Sequence, residues 1–404
     1  MSEFELREIG EDDLDQYYDI RAQAFGRPES ERESWSARVA TDTDALRLGA
    51  YRQSDLVGGL RILPGGQWLE GRRVGLGGVA AVVVRPEARG QGVARQLLFS
   101  SLGWMRDHGL VTSALHPATT RSYRAAGWEL AGDQATYDVP TRSLARLRVD
   151  EMQTVERLGP ADRVAVHQCY GRCAPARHGF VDRSDSFWAL RDSIEDEDGG
   201  FVYGVRTGEA LAGYVRYQQQ ARSDSWGYHL RVDELVADDP HTAASLWRFL
   251  GTHSMQVESV QIPAPAVDQI LLLLDEQDAR PALINRWMYR ILDLPRALAE
   301  RGTSFAGSAR LNIVVADPWP DAPAQAWTLI ADAGTLTAEP AEPAGPPRRR
   351  GDLTTDIGAL SAASIGRFST RALAAAGRLG GTDDQIDVLG QIFAAPRADI
   401  ADDF

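Results

Sequence analysis

The sequence predicts an α/β unit, a second and degenerate unit of the same plan, and a closing α+β unit. Three observations predict it. Residues 79–98 pass from an apolar, β-branched strand through Arg89-Gly90-Gln91-Gly92 into an amphipathic helix. The run Ala50-Tyr51-Arg52 … Leu56-Val57-Gly58-Gly59 returns as Tyr203-Gly204-Val205-Arg206 … Leu211-Ala212-Gly213-Tyr214. After Leu294-Pro295-Arg296-Ala297-Leu298 the texture changes, and 404 residues are too many for one ordinary core. The expected units are 1–140, 141–290 and 291–404.

Phe4 to Ile9 alternates like a strand, and Glu11-Asp12-Asp13-Leu14 opens a helix with carboxylates where the dipole favours them. Arg27 to Arg38 reads as a polar, mobile segment around Trp35. Strands come next at Ala45 to Tyr51 and Leu56 to Leu63, joined by Arg52-Gln53-Ser54-Asp55. Beyond the glycine loop, Val111 to His116 is a buried strand. Pro117 to Trp128 holds a short helix with a glycine stop, and a last strand runs towards Tyr137. In the second unit, Leu230 to Val236 takes the place of the strand before the loop. That strand leads into Asp238-Asp239-Pro240-His241, then a helix from Thr242 to Leu250. Ile270 to Leu274 reads as core. In the third unit Leu311 to Val315 and Ala326 to Ile330 are strands, and Ala338 to Arg350 is an exposed loop. Helices are expected at Ile357 to Gly366, Thr370 to Leu379 and Asp383 to Ala394.

The loop carries the chemistry. Glycines at 90 and 92 let the backbone turn sharply and approach a ligand, and the helix start after them aims unpaired N–H groups at one point. That arrangement suits a pyrophosphate. Strand, Arg-Gly-Gln-Gly-Val-Ala and helix in this order closely resemble the acetyl-CoA loop of GCN5-related N-acetyltransferases (GNAT). The resemblance implies that Arg89, Gly90, Gln91, Gly92, Val93, Ala94 and Arg95 hold the CoA pyrophosphate. It implies that Val82, Val83 and Val84 run beside the pantetheine, that Ala118 and Thr119 also touch the cofactor, and that Tyr123 stands beside the CoA sulfur. In the second unit two carboxylates replace Arg and Gly, and Pro240 removes an N–H, so that copy is expected to bind no cofactor and to wall the substrate channel.

Three features together narrow the resemblance: the loop with Tyr123, the degenerate copy with Leu246-Trp247-Arg248-Phe249-Leu250-Gly251, and the last segment ending in acidic residues and Phe404. The chain is similar throughout to the enhanced intracellular survival (Eis) family of acetyltransferases. That implies a third domain like sterol carrier proteins, a homohexamer, and acetylation of amines on aminoglycosides. It also implies that the C-terminal carboxylate of Phe404 is the base and Tyr123 the acid, with Trp35, Asp402 and Asp403 at the substrate. One departure stands out: family members that modify aminoglycosides carry an acidic residue in the segment where this chain has Arg27.

Composition bounds the partners. A net charge of −14 argues against nucleic acid and favours a small cationic amine. Cys169 and Cys173, the two cysteines present, lack histidines at ligand spacing, so no metal is expected, and reduced thiols fit a cytoplasmic protein. Neither a signal peptide nor a membrane span is expected. His116, at a strand end, reads as a structural histidine. The rival readings are acetylation of protein lysines or small polyamines, and a non-catalytic lipid- or CoA-binding module.

Overall fold

The computed structural model describes residues 4–198, 200–221, 227–263, 270–319, 323–341, 352–400 and 402. The first unit contains β1 (Glu5–Glu8), α1 (Leu14–Phe25), α2 (Arg32–Thr41), β2 (Leu46–Arg52), β3 (Asp55–Leu69), β4 (Arg72–Val84), α3 (Val93–Asp107), β5 (Thr112–Leu115), α4 (Thr120–Arg124) and β6 (Glu129–Pro140). The second contains α5 (Thr141–Ala145), β7 (Val155–Leu158), α6 (Arg163–Cys173), β8 (Val181–Asp182), α7 (Asp185–Asp198), β9 (Phe201–Thr207), β10 (Ala210–Ala221), β11 (Tyr228–Ala237), α8 (Pro240–Gly251), β12 (Ser259–Pro263) and β13 (Arg280–Ile291). The third contains α9 (Leu294–Glu300), β14 (Ser308–Ala316), β15 (Gln325–Asp332), β16 (Thr335–Pro340), β17 (Leu353–Asp356), α10 (Ile357–Ser364), α11 (Thr370–Ala375), β18 (Leu379–Gly380) and α12 (Asp383–Ile392).

The first two units share one sheet. Its order is β1-β2-β3-β4-β5-β13-β6-β12-β11-β10-β9-β7, with β8 added beside β3. Strand β13, from the end of the second unit, is threaded between β5 and β6 of the first and pairs antiparallel with both. The third unit builds a separate sheet, β16-β15-β14-β17-β18. Its helix α10 packs on β13 and β6, and the Ser361 hydroxyl accepts from the Ile291 N–H at 2.9 Å. A buried apolar cluster runs without a break from Leu76 and Val111 of the first unit to Leu329, Leu360 and Ile392 of the third.

Several local expectations need correcting. Residues 32–41 form α2, because Trp35 turns inward and Arg32 pairs with Asp15 and Glu29. Strand β3 continues past Leu63 through Pro64-Gly65-Gly66, paired with β4 down to Arg72. Ile270 is buried, but Leu271, Leu272 and Leu273 are exposed rather than core. Leu379 belongs to β18, not to the helix before it. Most of the expected 338–350 loop lies outside the described residues, and Ala338 to Pro340 finish β16.

Candidate functional site

The site forms where β4 and β5 part. They pair in parallel only from Leu76–Thr112 to Val79–Leu115. Beyond Val79, strand β4 is bonded to β3 alone, so on the β5 side residues 80–84 present backbone with no ladder partner among the described residues. A bulge sits at this point, opposite Leu60, with Ala81 at φ +49°. That conformation costs a non-glycine residue about 1–2 kcal/mol. The Tyr17 hydroxyl holds the bulge by donating to the Ala81 carbonyl at 3.3 Å.

From Val84 the chain enters the loop. The Arg85 N–H donates to the Val57 carbonyl at 2.9 Å, and the Ala88 N–H to the Arg85 carbonyl. Gly90 (φ +77°) and Gly92 (φ +84°) are both left-handed, and a Cβ at either would meet nothing within 4 Å. The glycines are needed for backbone conformation and leave open space over the loop. Helix α3 then starts at Val93 with no side chain capping it. Val93, Leu97, Leu98, Leu102 and Met105 face the core at helical spacing and are buried. Each contributes roughly 1.5–3 kcal/mol, which holds the helix end in place without a cap. Arg89 is exposed and donates to the Val84 carbonyl at 3.3 Å. Gln91 bonds to Glu87 and Arg52, and Arg95 lies over the Phe99 ring. Ala118 and Thr119 are exposed immediately before α4.

Tyr123 sits on α4 with its ring edge-on to Trp128, 6.4 Å between centroids. It is 8% exposed. Burial raises its phenol above the usual value, so the group stays protonated through neutral pH. Its hydroxyl has no hydrogen-bond partner among the described residues.

The second unit's counterpart is closed by its own residues. Asp239 caps α8, its carboxylate accepting from the N–H groups of His241 (2.8 Å) and Thr242 (2.9 Å). The N–H groups that an anion would use are therefore taken, and Pro240 offers none. Beside it Asp238 pairs with Arg172 at 2.9 Å and accepts from the Cys173 thiol. Ligand atoms of Cys169, Cys173 and Asp238 lie within 4.8 Å of one another.

The chain's last described residues come to the first unit's site from the third. The Asp399 N–H donates to the His178 carbonyl at 3.0 Å, and Ala398 and Ile400 are buried. The carbonyl of Asp402 lies 3.2 Å from His116 Nε2, at the end of β5. Asp402 was expected against substrate ammonium groups. Its carboxylate instead faces Arg183 at 2.9 Å and Arg191 at 3.7 Å, because burial demands a cationic partner. Asp403 and Phe404 lie outside the described residues.

Trp35 packs against Tyr18 (5.1 Å) and Tyr17 (6.3 Å), with the Arg21 guanidinium 5.2 Å from its ring. It lines a pocket of ≈110 Å³ together with Tyr17, Arg21, Arg38, Arg47, Arg61, Asp42 and, from α7, Ser186 and Leu190. Of these, Trp35 stands out in the sequence and the arginines do not. A signal was present: Arg47 and Arg61 each interrupt an apolar strand, and register places them directly opposite one another. Arg27, by contrast, is exposed and paired with Glu31 at 3.5 Å.

An unpaired strand edge leading into an uncapped helix start suits an acyl thioester carrying a pyrophosphate, and the family matches give the class as an acyltransferase. Residues 5–131 match the acetyltransferase (GNAT) domain family, and residues 179–291 match a second family of that description. Residues 294–400 match the sterol carrier protein domain family. A GCN5-related N-acetyltransferase from Kribbella flavida is 30% identical, with 99% of each chain covered and a TM-score of 0.84. One from Anabaena variabilis is 28% identical over 99% of this chain and 100% of that one, TM-score 0.90. An uncharacterised N-acetyltransferase from Streptomyces avermitilis is 26% identical over 87% of this chain and 86% of its own length. The chain belongs to the GCN5-related N-acetyltransferases. Its three-domain fold is shared with Eis1 from Mycobacterium abscessus (TM-score 0.81, 22% identity, 99% and 100% covered). GNAT domains use acetyl-CoA, and among the described residues no helix is long and apolar enough to cross a membrane.

Proposed function

We propose that the first unit transfers an acetyl group from acetyl-CoA to a primary amine, with one acetyl-CoA bound per chain. The observation that carries this is the contrast between two helix starts: α3 opens on glycine with no cap, and α8 is capped by Asp239. Acetyl-CoA supplies a thioester open to an unprotonated amine and a thiolate able to leave. On this reading the backbone of Val82 to Val84 receives the pantetheine and meets the carbonyl oxygen. The N–H groups of residues 90–95 take the pyrophosphate. The C–N bond forms as the C–S bond breaks. The amine's proton goes to the C-terminal carboxylate of Phe404, through water where needed, and the thiolate takes a proton from Tyr123. A free α-carboxylate has an ordinary pKa near ~3.5, so it serves better if burial raises it. The docked path of Ala398, Ile400 and Asp402 supports that role for the tail.

The net charge of −14 supports a second reading of the acceptor as a cationic polyamine such as an aminoglycoside. The resemblance further supports a homohexamer in the cytoplasm, without nucleic-acid or membrane partners. Thiol release from acetyl-CoA across a panel of amines tests the reaction. It fails if acetyl-CoA binds and no amine of any class releases thiol.

A further inference from the structure

The pocket beside the bulge has a charge opposite to that of the whole chain. Among the described residues, the guanidinium groups of Arg21, Arg47 and Arg61 line it with the carboxylate of Asp42, and Arg38, bonded to the Ser34 hydroxyl at 3.4 Å, stands at its side. Asp42 is already shared, 2.7 Å from Arg47 and 2.6 Å from Arg61. Asp44 accepts from the Ser186 hydroxyl at 3.1 Å. Buried nitrogens Arg21 Nε and Arg61 Nε have no acceptor among the described residues. Burial lowers the pKa of both guanidiniums, and neighbouring arginines lower it further. Like charges confined in a small cavity repel, and an anion relieves them.

The location ties the pocket to the reaction. Tyr17 lines it and donates through its hydroxyl to Ala81, the residue before the strand segment proposed to lie along the thioester. Trp35 forms one apolar wall, and Ser186 and Leu190 bring the second unit to the other side. A cavity of ≈110 Å³ accommodates one small polar group with its water rather than a linked set of amino-sugar rings. Bulk charge acts through a screened field with a reach of ~8–10 Å, whereas these arginines stand at hydrogen-bonding range.

We propose that the acceptor amine belongs to a molecule that also carries a carboxylate or a phosphate, and that Arg21, Arg38 and Arg61 hold this anionic group while the amine reaches the thioester past Tyr17. This rests on the acetyl-transfer reading and narrows its substrate class. The arginine fork matches both anions, and bidentate pairing fixes orientation as well as position.

The test uses the full chain, acetyl-CoA and thiol detection with matched acceptors: α-amino acids and their amides, an amino-sugar phosphate and the parent amino sugar, and a linear polyamine. Whichever anion is correct, its acceptor is expected to exceed the neutral partner in kcat/KM by about 30-fold or more. The pair that shows the gap tells carboxylate from phosphate. Arg21→Gln and Arg38→Gln are each expected to shrink that ratio about tenfold while the KM for acetyl-CoA stays put. Equal or faster turnover of the amides and the polyamine overturns the proposal. So does a uniform loss in both variants across all acceptors, which would mark the arginines as structural. If no acceptor releases thiol, the transfer reading fails by itself. Calorimetric titration with N-acetylglycine and with inorganic phosphate then reads the clamp alone: binding lost in Arg21→Gln supports it, and no binding to the unmodified chain overturns it.

Discussion

Arg183 donates from Nε to the Asp402 carboxylate at 2.9 Å, joining residues 219 apart in the chain with both side chains almost fully buried. The same guanidinium reaches both oxygens of Glu234 and stacks 3.8 Å from the Tyr170 ring. Tyr214 donates to Glu234 at 2.5 Å. Arg183, with Arg191 at 3.7 Å, therefore holds the tail of the third unit against the second, where it continues to His116 of the first.

Removing one member of a buried pair leaves uncompensated charge, which costs roughly 3–5 kcal/mol. Arg183→Met is expected to lose up to that much in denaturant unfolding, with Arg191, 3.5 Å from Glu234 and 3.7 Å from Asp402, left to compensate both carboxylates in part. Asp402→Asn should cost less, because Glu234 still neutralises the arginine. A loss below about 0.5 kcal/mol for Arg183→Met would contradict this role for the anchor.

Tyr123→Phe removes the proton proposed to reach the leaving thiolate and keeps the ring on Trp128. The expected result is a fall in kcat of about 10²-fold or more, with acetyl-CoA affinity changed less than about twofold. Unchanged kcat would remove Tyr123 from the chemistry.

A few glycines appended after Phe404 displace the terminal carboxylate while leaving the Arg183–Asp402 anchor intact. Turnover is expected to fall about 10²–10⁴-fold, the range typical of a lost general base, with an unchanged melting temperature. Full-speed turnover would show that the tail docks but does no chemistry.

His178 ties acidity to the same tail. Its carbonyl takes the Asp399 N–H, and its Nδ1 accepts from the Glu70 N–H at 3.1 Å. Burial and the nearby Arg301 hold its imidazole down at about 4, against about 6.5 in an unfolded chain. The unfolded chain thus binds the proton more readily between these values. Stabilisation from the neutral ring is full above about pH 6.5 and is lost as pH falls towards 4, by at most about 3 kcal/mol. The stability difference between the natural chain and His178→Gln should shrink from pH 7 to pH 4.5. A constant difference would contradict it.

The strand, glycine loop and helix could be read in the sequence because each depends on neighbours within about 20 residues: β-branching, left-handed glycines, and an apolar stripe. The self-capped start of α8 was legible for the same reason, since Asp239 and Pro240 act on their own helix. The arginine pocket was not. Its side chains come from α1, α2, β2, β3 and α7, and only register brings Arg47 opposite Arg61. The placement of β13 between β5 and β6 was hidden too, because an apolar run does not state which edge it joins. Trp35 drew 32–41 into a helix that its polar composition disguised, an instance of packing overriding local preference.

The most direct measurement of the central claim is calorimetric titration with acetyl-CoA. One site per chain is expected, lost in Gly92→Val, where φ is +84° and any side chain strains the loop though space around it is open. Asp239→Ala, at the self-capped counterpart, should leave that single site unchanged. Binding that survives Gly92→Val, or that disappears with Asp239→Ala, would contradict the claim.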